Sequence, residues 1–254
     1  MIIDCNANLG NWPFRRIRYN DPAGLLERLG RVGIERAWVT LLDAVMYQNV
    51  HAGNAALAEL VADFPALLPV ATINPTWPAW EKDLAECAGP LGFRGVRVNP
   101  NYHGWTLRDA VFGELLAAAQ DLGLFVEITV RMSDERHHHP LVMVPPVDLA
   151  PLPAAAAAHP AVPVVVANAN NTQIVGLARA GDLAPNVYFE ISHIESVNGV
   201  KTVADAVGVQ RLLFGTHAPY FYPEAAHLKV FVESELSEAE IAAISHQNAQ
   251  RLLG

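Results

Sequence analysis

Short apolar runs alternate with longer stretches of helical period from one end of the chain to the other. Eight runs have the length and composition of buried strands, at 2–8, 36–42, 67–73, 92–99, 124–131, 162–168, 187–192 and 211–216. Between them lie helical patterns. The clearest covers 107–122 and puts Leu107, Val111, Leu115, Ala118 and Leu122 on one face. The last, near 238–252, opens on Ser237-x-x-Glu240, the spacing of a capping box. Strands that alternate with helices pair in parallel through right-handed crossovers. Eight repeats in 254 residues predict a (β/α)8 TIM barrel, a single α/β domain over 1–254. An open doubly wound sheet is disfavoured, because neither G-x-G-x-x-G nor G-x-x-x-x-G-K-[ST] follows any strand. A proline-dense stretch at 140–153 reads as a loop over the barrel mouth.

Composition narrows the function. With 52% hydrophobic residues the chain can bury one large core or split into two smaller domains. A formal charge of -9 with 17 Lys and Arg argues against nucleic acid or an anionic membrane as partner. The expected partner is a small-molecule substrate, with assembly into a homo-oligomer left open. Cys5 and Cys87 are the only cysteines, which suggests neither a disulfide framework nor a thiolate zinc site. Strand-like residues begin at Ile2, with no stretch of signal-peptide or membrane-spanning type, so a cytoplasmic protein is expected.

In a barrel all eight strands point their carboxyl ends at one pocket. Here those ends are polar: Asp4, Asn6 and Asn8; Arg97 and Asn99; Glu127, Thr129 and Arg131; Asn168 and Asn170; Glu190, Ser192 and His193; and Thr216 with His217. Charges are costly to bury unpaired, so the set implies pairing, water or a polar ligand. Asn6, Asn8, Arg97, Asn99, Arg131, Asn168 and Asn170 are the expected substrate contacts, the arginine forks suiting a carboxylate or phosphate. The plainer alternative is a structural network in which Arg97 and Arg131 neutralise Glu127, Glu190 and Asp4. Asp134 opens a loop that runs into His137, His138 and His139. Three successive side chains cannot face one point, so at most one or two would reach a site.

These residues sit in stretches that resemble the amidohydrolase superfamily, in the branch of the aminocarboxymuconate-semialdehyde decarboxylase-like enzymes. "IIDCNANLG" is similar to the strand-one motif Ile-Asp-x-His-x-His-x-Gly, "FPALLPVATINP" to strand three and "LGFRGVRVNPNYHGW" to strand four. "NVYFEIS", "RLLFGTHAPY" and "NAQRLL" are similar to strand seven, strand eight and the terminal helix. The resemblance implies a hydrolase or lyase. Metal-dependent members hold a divalent ion with two strand-one histidines, histidines ending strands five and six, and an aspartate after strand eight. This chain has Asn6 and Asn8, Thr129 or Val130, Asn168 and His217 there. Amide oxygens are weak zinc ligands, so no metal and no other cofactor is expected at that position. Proton transfer then falls to a side chain: His217 first, with Glu127, Glu190, His193 and Asp134 as alternates. Two rival readings follow. One is zinc or another divalent metal at a relocated site of His217, His193 and a loop histidine; the other is a non-catalytic small-molecule-binding barrel.

Overall fold

A computed structural model describes residues 1–181 and 183–253, and the side chain of His137 lies outside what it describes. The strand segments are β1 (Ile3–Leu9), β2 (Arg36–Leu41), β3 (Leu67–Pro69), β4 (Ala71–Thr72), β5 (Gly95–Val98), β6 (Phe125–Thr129), β7 (Val164–Ala167), β8 (Val187–Glu190) and β9 (Leu212–Leu213). All their pairings are parallel. The expected strand at 67–73 is broken at Val70: β3 pairs with β2 and β4 with β5, and Pro69 brings no N–H to the ladder. The ends of the sheet meet through backbone bonds from Cys5 N–H to Phe214 C=O (2.8 Å), His217 N–H to Asn6 C=O (2.6 Å) and Asn8 N–H to Ala218 C=O (2.7 Å). The (β/α)8 barrel predicted from alternation is therefore the observed fold.

Helices α1 (Pro22–Gly30), α2 (His51–Val61), α3 (Trp80–Ala88), α4 (Ala110–Asp121), α5 (Leu152–Ala158), α6 (Asn171–Ala180), α7 (Gly199–Val207), α8 (Pro223–Phe231), α9 (Glu238–Ala242) and α10 (Asn248–Leu253) cover the outside. Ser237 and Glu240 form the predicted capping box of α9. A single π-helical turn at Ala243–Gln247 divides what the pattern shows as one terminal helix. In α4 the buried stripe is Phe112, Leu115, Leu116 and Ala119, one residue off the expected face. Leu107 precedes the helix, so it does not set the phase of the stripe. Cys5 and Cys87 are free and buried. Among the described residues no helix is long and apolar enough to cross a membrane.

The barrel interior has two layers. The lower is apolar, with Ile3, Cys5, Trp38, Val70, Phe125, Val165 and Leu213 in one cluster that Ala249 of α10 closes. Trp38 and Phe125 stack at 4.6 Å although β2 and β6 are not neighbours, so they meet across the lumen. A Cβ on Gly95 would sit 2.2 Å from the Phe125 ring, which is why that strand carries glycine there. Above this layer the register of β1 against β2 shifts between Asp4 and Ala7. Strict alternation fails at that point, and the expected Asp4, Asn6, Asn8 set does not act as one face: Asp4 turns to Thr216 while the asparagines enter the polar upper layer.

Candidate functional site

The upper layer is a hydrogen-bond network in which Asn6 Oδ1 and Thr129 Oγ1 have no partner among the described residues. Arg97 donates from Nε and Nη2 to the two oxygens of Glu127 (3.0 and 3.1 Å), and from Nη1 to Asn8 Oδ1 and Thr40 Oγ1 (both 2.9 Å). Burial pushes the Glu127 carboxyl up and the Arg97 guanidinium pulls it back down. The structural pairing proposed for Arg97 and Glu127 is thus formed, and Arg97 would have to give up these bonds to clamp a substrate. Asn6 donates to Asn168 Oδ1 (2.7 Å), and Asn168 donates to the Arg131 carbonyl (2.7 Å). Glu190 accepts from the Asn168 N–H (2.5 Å), the Ser192 N–H (2.7 Å) and the Ser192 hydroxyl (2.8 Å). A Cβ on Gly215 would stand 2.2 Å from Glu190 Oε2, so the glycine after β9 makes room for that carboxylate. Asp4 accepts from the Asn6 and Thr216 N–H groups, both at 3.0 Å, and burial raises its pKa from 3.8 to about 6 against those bonds.

Two residues at strand ends hold left-handed backbone, Asn168 (φ 62°) and His217 (φ 55°). Asparagine tolerates that region and histidine less so, which marks the 217 position as one the surrounding structure fixes. His217 Nε2 lies 2.9 Å from the Met132 carbonyl and Nδ1 lies 3.4 Å from Asn8 Nδ2. Donation from Nε2–H to Met132 leaves Nδ1 as acceptor, so both ring nitrogens face protein groups. Burial lowers its pKa from 6.5 to about 3. His193, 5.9 Å away ring to ring, packs on Phe221 (4.7 Å). Burial, with His217 and Arg131 nearby, takes His193 from 6.5 to about 2.

Because the folded ring stays neutral while the unfolded ring binds a proton below about 6.5, His193 contributes stability that is present above that pH. It is lost as pH falls toward the folded value, by up to about 1.4 kcal/mol per pH unit. Asp4 has the opposite sign, its share being present at low pH and lost as pH rises through about 6. Comparing wild type with His193→Gln by urea denaturation at stepped pH isolates the histidine. The expected result is a flatter acid limb in the variant; parallel limbs would refute this assignment.

The remaining expected residues lie elsewhere. Asn170 was expected among the substrate contacts, but its side chain caps α6 by accepting from the Gln173 N–H (3.0 Å). Arg131 is half-buried and donates to Gln173 Oε1 (2.6 Å). Asp134 receives the Arg136 guanidinium (2.8 and 2.7 Å) on the loop after β6. Asn99 is buried, and neither of its amide atoms has a partner among the described residues. His138 and His139 reach the barrel mouth; His137, named with them, lies outside the described side chains.

Over the polar network sits an aromatic layer of Trp12, Tyr220 and Met132 with Phe14, Tyr102 and Phe221 packed on it. It leaves a cavity of about 390 Å3, walled by Trp12, Phe14, Tyr102 and Tyr220 and edged by Arg15, Ser133, His138 and His139. The Arg15 guanidinium lies 4.9 Å from the Tyr220 ring centre. Sequence reasoning singled out His138 and His139 but missed Arg15 and the aromatic residues around them. The available signal was their position: Trp12–Arg15 follow β1 and Tyr220–Phe221 follow β9, in loops at the C-terminal face where barrels carry their sites.

The sequence matches the amidohydrolase family model over residues 3–254. The chain belongs to the amidohydrolase family. No curated protein sequence matches it significantly. Solved structures share the fold of this family member across nearly their whole length. The 2,6-dihydroxybenzoate decarboxylase from Rhizobium superposes with a TM-score of 0.76 at 16% identity, covering 99% of this chain and 98% of that one. The 5-carboxyvanillate decarboxylase from Sphingomonas paucimobilis gives 0.72 at 15% identity, with 99% and 98% covered. A dihydroxybenzoic acid decarboxylase from Polaromonas, with bound manganese and the inhibitor 2-nitroresorcinol, gives 0.72 at 17% identity, with 99% and 96% covered.

The residues of this amidohydrolase-family barrel do not fit a divalent ion at the position the resemblance indicates. Asn6 and Asn168 are bonded to each other, Asn8 to Arg97 and Thr40, and His217 directs its Nε2 at a carbonyl. Such amides offer neither imidazole nor carboxylate, and an adjacent guanidinium repels a cation. The relocated triad is not assembled from His217, His193 and either His138 or His139, and His137 lies outside the described side chains. Among the described residues no three His, Cys, Asp or Glu side chains gather around one point.

Proposed function

We propose that this protein is a metal-independent lyase or hydrolase whose substrate is a small aromatic carboxylate bound in the cavity above the barrel mouth. The observation that carries this reading is the amide network, cross-linked to Arg97, where the family's metal would sit, roofed by an aromatic cavity with an exposed arginine at its edge. A volume of about 390 Å3 suits a substituted benzene ring, and ligand sites commonly run from about 300 Å3 upward. Trp12, Tyr102 and Tyr220 offer ring faces and edges, and Arg15 a fork for the carboxylate. The aromatic carboxylates named for the decarboxylases of the same fold support that substrate class.

Proton transfer is assigned to the loop histidines. His138 Nε2 lies 3.3 Å from the Ser133 carbonyl, so that nitrogen carries the hydrogen and Nδ1 keeps a lone pair. His139 Nδ1 accepts from the Leu141 N–H (3.2 Å), which places its own N–H at Nε2. One ring thus offers a base and its neighbour a hydrogen-bond donor. His217, held between Met132 and Asn8, acts in this reading by fixing the cavity floor. The sealing of His217 and His193 also favours a second reading, a barrel that binds such carboxylates without turning them over.

The test is turnover of a panel of hydroxybenzoates, followed by carbon dioxide release and product chromatography, before and after exhaustive chelation. Activity that survives chelation is expected. Activity that vanishes and returns only with added manganese would overturn the metal-free reading, and tight binding with no product would select the binding barrel.

A further inference from the structure

Behind the Arg15–Tyr220 wall lies a second hollow of about 530 Å3, between residues 15–19, the end of α1 and the turn 219–223. Arg15, Arg16, Arg18, Arg28 and Arg31 all line it. A chain of net charge -9 thus gathers five of its 17 cationic side chains around one small space. Two are neutralised and held: Arg28 by Glu224, and Arg31 by Glu27 (2.6 Å). Both also lie over the Tyr19 ring, at 5.8 and 5.6 Å. Arg15, Arg16 and Arg18 form no ion pair among the described residues.

Like charges so grouped repel one another, and folding alone gains nothing from the arrangement. An anion reverses the sign of that term. Three uncompensated guanidinium forks exceed what a single carboxylate can accept, whereas a tetrahedral group with several charged oxygens can take two or three forks at once. The hollow is large enough for a phosphate with a sugar-sized substituent. We infer that this hollow binds a phosphate monoester dianion. The inference stands on the lining of the hollow itself and is separate from the aromatic cavity, which shares Arg15 and Tyr220 but not Arg16, Arg18 or Arg31.

The experiment is calorimetric titration of the full chain with inorganic phosphate, glucose 6-phosphate and adenosine 5′-monophosphate at matched ionic strength, with sodium chloride as the blank. The Arg16→Ala/Arg18→Ala double variant is titrated alongside. Both positions are exposed, so its melting temperature should match wild type, and Arg31→Ala tests the opposite wall should the double variant fail to fold. Saturable binding of at least one phosphate is expected, weakened by about tenfold or more in the variant, as loss of charge-assisted bonds implies. Equal affinity for phosphate and esters identifies the phosphate group alone as the determinant, and tighter ester binding identifies an organic phosphate. No heat above the chloride blank, or affinity unchanged by the substitutions, would overturn the inference.

Discussion

Arg97→Ala is expected to cost about 3–5 kcal/mol of folding stability, the range for stripping one partner from a buried ion pair. The substitution leaves the Glu127 carboxylate, which is fully buried, without the two guanidinium bonds that now satisfy it. It also removes one donor each from Asn8 and Thr40. With the guanidinium gone, burial alone acts on Glu127 and its folded pKa rises further above the unfolded value. The folded carboxyl then binds its proton more tightly than the unfolded one. The variant is therefore least impaired below the ordinary glutamate pKa of about 4.3 and loses stability as pH rises from there. Arg97→Met combined with Glu127→Leu should be less destabilised than Arg97→Ala, because no charge is stranded. Urea unfolding of the three proteins at acid and neutral pH measures this. A single variant within about 1 kcal/mol of wild type at neutral pH would mean that the pair is a spectator.

Arg15→Ala should weaken binding of 2,6-dihydroxybenzoate by roughly tenfold to a hundredfold, the loss expected for about 1.5–3 kcal/mol of charge-assisted hydrogen bonding. The side chain is exposed and packs on the Tyr220 ring, so the melting temperature should hardly move. Arg15→Lys keeps the charge without the planar fork and should fall between the two. Arg97→Met/Glu127→Leu, measured with the same ligand, discriminates the assignments. If the carboxylate is gripped by Arg97 in the barrel floor, that double variant loses affinity and Arg15→Ala does not.

Much of the architecture was readable from order and period alone. Alternating strand and helix patterns forced a parallel sheet, and eight repeats forced closure, because short-range periodicity reports which face of each element is apolar. Where local chemistry competed with period, the reading slipped. Pro69 interrupts the third strand, and the phase of α4 is set by Phe112 in place of the outlying Leu107. The polar residues at the strand ends were legible as a group, since spacing of two brings side chains to one face. Their roles were not. Asn170 reads like Asn168 in sequence, yet one caps a helix and the other bonds Asn6 across the barrel.

What the sequence by itself determined, then, is the barrel, its family, and the pair of asparagines, Asn6 and Asn8, at the end of the first strand. What only the tertiary structure decided is that Arg97 is bonded to Glu127, that His217 is enclosed, and that Trp12, Arg15, His138 and Tyr220 line a cavity above them. The physical reason is range. Hydrophobic period is a property of neighbours along the chain, whereas the satisfaction of a buried charge and the roof over a cavity depend on groups as far as 212 positions apart, as Asp4 and Thr216 are.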